Sequence, residues 1–318
     1  MPHLARQEAE RALQQSFRKS SLFNGLIVAL LVVGAHRWFA SLPDRVPRAD
    51  AVAAVRFDAV AIEQAGFAPL KLAGAWAVTA DDLRMGGVSA LAVDSGGLVA
   101  LSDSGVVIRL PRPSVASATA TFHDLPSGPG NDWRKPNRDS EALTRLDDGP
   151  WLVAFENRDQ VWRYDREFRD GWPVVDLQSE QMRTNRGIEA MALHDGKLLL
   201  IPEGAEMVLA VANGAERIPL ASRGWTIGDV AALPDGRMIA AVRRLTPFGI
   251  RTGIGWLERD GAKFRLGVVT RLPLGRFGNA EAIAAETLPG GAIRLWVMTD
   301  NDFRRRMPTM LIALDVTP

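Results

Sequence analysis

A block of about twenty residues, two short apolar runs joined by a turn, occurs five times between residues 86 and 302. The copies are GGVSALAVDSGGLVALSDSG (86–105), RDSEALTRLDDGPWLVAFEN (138–157), RGIEAMALHDGKLLLIPEG (186–204), TIGDVAALPDGRMIAAVRR (226–244) and GNAEAIAAETLPGGAIRLWVMTDND (278–302). Each reads as a β-hairpin, most plainly where Asp195-Gly196 supplies the positive φ that a tight turn requires. A repeat of this kind constrains the fold more than any single motif, because one hairpin cannot bury its apolar faces without a neighbour.

The residues that open the copies are Ser89, Glu141, Glu189, Asp229 and Glu281, spaced by 52, 48, 40 and 52. No long helical pattern follows residue 66. Hairpins at a 40–52-residue period predict an all-β chain, a single β-propeller with five visible repeats and five or six blades. The apolar runs show little alternation, as expected of strands buried on both faces between neighbouring blades. Further strands are expected at 160–165, 207–213, 253–259 and 264–270. The strand at 309–316 would close the last blade, with 70–80 as its outer neighbour.

The second run of each copy ends on Asp103, Glu156, Glu203, Arg243 and Asp300. A residue at the start of one strand and a residue at the end of its antiparallel partner share a rim. The repeat therefore predicts that Glu141, Glu189, Asp229, Glu281, Asp103, Glu156, Glu203 and Asp300 converge on one channel mouth with Arg243. Crowded carboxylates repel, and some pKa values rise. A hard cation such as Ca²⁺, held by six to eight oxygens, relieves this; so does neutralisation by the neighbouring Arg158, Arg186, Arg243 and Arg304.

Composition excludes several chemistries. The chain has no Cys, which removes disulfides, thiol nucleophiles and Cys-based zinc sites. A net charge of +1 implies no general pull toward nucleic acid. No G-x-S-x-G occurs, and after the N-terminal segment only His123 and His194 remain as bases, so a Ser–His esterase is not expected. His194 reads as an exposed turn residue and His123 as part of a long loop. Arg134, Lys135, Arg243, Arg244 and Arg304–Arg306 are candidate anion binders, and Trp133 could close over a ligand.

Residues 1–20 read as a cytoplasmic basic tail and 21–41 as a signal anchor or signal peptide. Residues 42–66 read as a linker and 67–318 as the propeller. Positive charge before the apolar segment places the remainder outside the cytoplasm.

The motifs D-S-E-A-L (139–143), N-R-G-I-E-A-M-A-L (185–193), G-D-V-A-A-L-P-D-G-R (228–237), G-N-A-E-A-I-A-A (278–285) and T-D-N-D-F (299–303) resemble, in order, the phytase-like propeller family, proteins described as having esterase-like activity of phytase. The resemblance spans roughly residues 66–316, with departures at Ala280 and Ala282. It implies a propeller, drawn with six blades in calcium-dependent phytases, and a bacterial protein exported to the periplasm, anchored in the inner membrane or secreted. Glu141, Glu189, Asp229, Glu281 and Asp300 would be its channel acids. The chemistry that fits is Ca²⁺-assisted hydrolysis of phosphate or other esters, with Glu189, Glu141 and Arg243 catalytic and the eight rim acids as metal ligands. A small anionic or ester substrate is the expected partner, with the membrane engaged through the N-terminal segment. The alternative is a non-catalytic ligand- or protein-binding module whose mouth holds a structural ion or an Arg-neutralised acidic ring.

Overall fold

The computed structural model describes residues 45–318 apart from 114–117, 147–148, 179–186, 205, 234, 248, 274–278, 302, 304–306 and 317–318. The expected basic tail and membrane segment, 1–41, lie outside the described residues. Among the described residues, no helix is long and apolar enough to cross a membrane.

The elements are almost all strands. β1 (Ala51–Ala59) and β2 (Lys71–Ala80) come first. Four consecutive strands follow, β3 (Val88–Asp94), β4 (Gly97–Ser102), β5 (Val106–Leu110) and β6 (Ala118–Asp124), and form the first blade. The second blade is β7 (Ser140–Arg145), β8 (Trp151–Phe155), β9 (Gln160–Tyr164) and β10 (Gly171–Asp176). The third is β11 (Ile188–His194), β12 (Lys197–Pro202), β13 (Met207–Val211) and β14 (Ala215–Ala221). The fourth is β15 (Thr226–Ala232), β16 (Met238–Thr246), β17 (Gly249–Asp260) and β18 (Lys263–Arg271). β19 (Asn279–Thr287), β20 (Ile293–Asp300) and β21 (Thr309–Val316) take β2 as their fourth strand, so the two ends of the chain meet in the fifth blade.

The innermost strands β3, β7, β11, β15 and β19 pack each against the next, and β19 packs against β3, which closes a ring of five. The core lies between blades rather than within them. Trp151, Val153 and Phe155 of β8 pack toward Val99, Leu101 and Val107 of the first blade. Their neighbours Leu152 and Ala154 point the other way, toward Ile188, Met191 and Leu200 of the third. The pleat sends successive side chains to opposite faces, and both faces are covered. That explains the unbroken apolar runs. Equivalent clusters fill the other three gaps. Each fully buried Leu, Ile, Val or Phe contributes about 1.5–3 kcal/mol to this packing.

The Asp195-Gly196 turn has φ of 48° and 70° at its two central residues, the left-handed pair of a type I′ hairpin. One expectation needs revision: residues 51–59, inside the stretch read as a linker, form β1. It pairs with both β2 and β6 and so joins the fifth blade to the first. A short parallel pairing of β14 with β18 joins the third and fourth blades in the same way.

Candidate functional site

Every innermost strand carries a β-bulge just after it begins. The pairing register skips one residue between Val88 and Ala90, Ser140 and Ala142, Ile188 and Ala190, Ile227 and Asp229, and Ala280 and Ala282. The skipped residues are Ser89, Glu141, Glu189, Gly228 and Glu281. A bulge leaves one residue out of the ladder and re-aims its side chain. Repeated once per blade, it turns these residues toward one opening. A second circle stands just above. Asp103, Glu156 and Glu203 donate their backbone N–H to Gly87, Asp139 and Gly187, while Arg243 faces Thr226 and Asp300 faces Asn279.

The two circles enclose a cavity of about 170 Å³ lined by Ser89, Asp103, Glu141, Glu156, Glu189, Glu203, Arg243, Glu281, Asp300 and Gly87. Seven of the eight acids expected at the rim are there, together with Arg243. Asp229 is not. It follows the bulge instead of occupying it, and takes the place held by Ala90, Ala142, Ala190 and Ala282 in the other blades. Asp229 is 1% exposed. Its carboxylate accepts N–H bonds from Val230 (2.8 Å), Ile283 (2.8 Å) and Leu91 (3.4 Å), and so joins the fourth blade to the fifth and the first. Burial drives its pKa well above the usual range, against the pull of these bonds. It is a strut beneath the mouth, with its carboxylate bonded to backbone N–H groups, and is in neither the cavity lining nor a carboxylate group that could hold an ion.

The rim charges divide into two halves. On one side the Arg243 guanidinium bonds Glu189 and Glu281, and reaches Glu203 at 3.1 Å. Asn279 donates a further bond to Glu281. On the other side Lys135, in the 3₁₀ turn Lys135–Asn137, bonds Asp139 at 2.6 Å and Asp103 at 3.1 Å. Asp139 is a mouth carboxylate outside the expected set, placed by its pairing across from Glu156. Between the halves lies Glu141, whose carboxylate makes no hydrogen bond or salt bridge among the described residues and meets the Arg243 charge only at longer range.

Among the described residues, eight carboxylates, counting Asp139, face two tethered cations. The proton affinities follow from that imbalance. Burial, then Glu189 and Asp139, raise the Glu141 pKa well above its ordinary value. Burial also pushes Glu189 up to about 8, with Arg243 opposing and Glu203 and Glu281 reinforcing. Glu156 is raised by burial and by Asp139. Burial works against the charge on Arg243, but Glu189, Glu281 and Glu203 outweigh it and hold the proton more firmly than usual. Lys135 is likewise raised, with burial outweighed by Asp103 and Asp139.

Among the described residues, two sets of carboxylates could hold a metal ion, Asp139 with Glu141 and Glu156, and Glu156 with Glu189 and Glu203. Within each set one oxygen per residue lies within 4.8 Å of the others. All-oxygen donors suit a hard cation.

The remaining candidates fall elsewhere. Arg158 donates to Asn137 Oδ1 and not to the ring. Arg134 lies over the Trp133 ring. His123 is in β6, not a loop, and bonds Asp50 (2.5 Å) and the Phe168 carbonyl (2.7 Å) at the outer edge of the blade. His194 ends β11 beside the turn, at the end of the hairpin away from the acids. Arg186 and Arg304–Arg306 lie outside the described residues.

A family model described as phytase-like, "Esterase-like activity of phytase", matches residues 83–303. No curated protein sequence matches. Among solved structures, the glutaminyl cyclase of Myxococcus xanthus aligns with a TM-score of 0.47 at 15% identity, covering 83% of this chain and 99% of that one. The major allergen Mala s 1 of Malassezia sympodialis aligns at 0.45 and 13%, covering 81% and 92%. The virginiamycin B lyase of Staphylococcus aureus aligns at 0.41 and 10%, covering 74% and 96%.

Proposed function

The chain belongs to the phytase-like family, and from that premise we propose that it is an exported, membrane-anchored propeller whose acidic mouth binds Ca²⁺ and hydrolyses phosphate or other esters. Residues 21–41 would supply the anchor and the periplasm the compartment. One observation carries the reading: among the described residues the Glu141 carboxylate lining the mouth has no hydrogen bond or salt bridge, and oxygens of Asp139 and Glu156 lie within 4.8 Å. Like charges gathered this closely are costly unless a cation joins them.

Asp139, Glu141 and Glu156 would hold the ion. When bound, it would polarise an ester oxygen and lower the pKa of a water. Arg243, steadied by Glu189, Glu203 and Glu281, provides planar N–H donors for an anionic oxygen. Glu189, titrating at about 8, holds or accepts a proton near neutral pH, where acid–base exchange is most useful. Glu189 and Arg243 act on one side of the mouth and the cation ligands on the other, so substrate would lie between them.

A second reading has its own support. Arg243 is already bonded to three carboxylates, as in a neutralised ring that binds a ligand or protein without chemistry. A panel of phosphate and carboxylate esters, assayed with Ca²⁺ and with chelator on wild type and Glu189→Gln, separates the two. Hydrolysis that needs Ca²⁺ and is lost in the variant supports the hydrolase. Ligand binding without turnover supports the module.

A further inference from the structure

Four of the second strands stop at the rim: β4, β8 and β12 end one residue before Asp103, Glu156 and Glu203, and β20 ends at Asp300. The fourth blade continues. β16 runs past Arg243 to Thr246 and returns as β17 from Gly249, with Arg244 opposite Arg251, Leu245 opposite Ile250 and Thr246 opposite Gly249. Three residue pairs at about 3.3 Å each raise this ribbon roughly 10 Å above the rim. Thr246 Oγ1 donates to Gly249 O at 2.7 Å and closes the tip.

Side chains alternate between the faces of a strand, so Leu245 and its partner Ile250 share the face of Arg243, while Arg244 and Arg251 take the other. Arg243 enters the mouth from its face to reach Glu189 and Glu281. Leu245 and Ile250 therefore stand above its point of entry. They are 82% and 56% exposed and belong to none of the interblade clusters. Folding does not require an apolar pair there.

We propose that Leu245 and Ile250 form an apolar lip that makes the mouth select phosphate monoesters whose other end is an alkyl chain or an aryl group, over polyhydroxylated phosphates. This rests on reading the mouth as a cation-assisted site for anionic esters. The phosphate would meet Arg243 and the acidic circles below, and the chain would lie along the ribbon above. Withdrawing one methylene from water gains about fourfold in affinity, so contact with two suffices for more than tenfold.

The test is isothermal titration of the full chain, in Ca²⁺, with methyl phosphate and octyl phosphate. Octyl phosphate should bind at least tenfold tighter, and the ratio should fall toward one in Leu245→Ser/Ile250→Ser, whose positions lie outside the core. Equal affinities in wild type, or a ratio kept in the double variant, would overturn the lip while leaving the anionic-ester site standing. If neither ester binds, the reading of the mouth fails and the lip falls with it. Phosphatidic acid in phosphatidylcholine vesicles, added as a competitor, identifies the source: displacement of octyl phosphate keeps the lip with a bilayer lipid, and no displacement keeps it with a soluble ester.

Discussion

Replacing Arg243 with Met keeps an unbranched side chain in place and removes the positive charge from between three carboxylates. Glu189 and Glu281 have side chains 9% and 17% exposed, and Glu203 is 35% exposed. The first two pairs are buried enough that breaking them costs about 3–5 kcal/mol, while the third adds little. At roughly 2–4 °C per kcal/mol for a domain of this size, Tm should fall by about 6–20 °C at pH 8. The loss depends on charge. Glu141 and Glu189 both have pKa values raised in the folded state, so what their protonation contributes to stability is complete below the unfolded carboxylate range. It is lost as pH rises, for Glu189 between 4.5 and about 8. At pH 5 Glu189 is mostly protonated in the fold, and Arg243→Met should cost less than it costs at pH 8. Thermal unfolding followed by circular dichroism at both pH values, in chelator, measures this. A Tm shift equal at pH 5 and pH 8 would mean that Arg243 acts by packing. A shift under about 2 °C at pH 8 would mean that it neutralises nothing.

Other consequences can be checked alongside. Asp229→Ala leaves the Val230 and Ile283 N–H groups buried without an acceptor and should cost about 2–5 kcal/mol, read by urea denaturation, with Ca²⁺ affinity unchanged if Asp229 is a strut. Lys135→Met frees Asp139 and Asp103 from a half-exposed ion pair and should tighten Ca²⁺ binding by up to about fivefold, measured by calorimetry. Wild-type Ca²⁺ affinity should rise from pH 5 to pH 8, because the ion competes with protons on Glu141 and Glu156; an affinity flat over that window would contradict the raised pKa values.

Much of the fold was legible because propeller blades repeat locally. The hairpin pattern recurs within each blade, and the strands β9, β13, β17 and β18 fall where apolar runs lie between copies. β1 was not, since AVAAVRFDA is a half-exposed strand that is held by partners some twenty to seventy residues away. The mouth was legible as a ring of acids because seven of them occupy equivalent register positions. Asp229 misled for a simple reason. Its separation from Arg243 matches the separation of the other acids from their partners, and only the pairing register reveals that the bulge falls on Gly228. A one-residue slip in a strand reverses which way a side chain points, and apolar content does not record it. Lys135 and Asp139 come together through a turn that brings the loop back over the mouth, with only their i, i+4 spacing as a signal.

The most direct measurement is calorimetric titration of Ca²⁺ into the chain at pH 8, on wild type and on Glu141→Gln. A saturable Ca²⁺ site that weakens at least tenfold in the variant, while the chelated variant unfolds at a higher temperature than the chelated wild type, is the expected result. No saturable binding to wild type, or equal affinity in both proteins, would contradict a cation held at Asp139, Glu141 and Glu156.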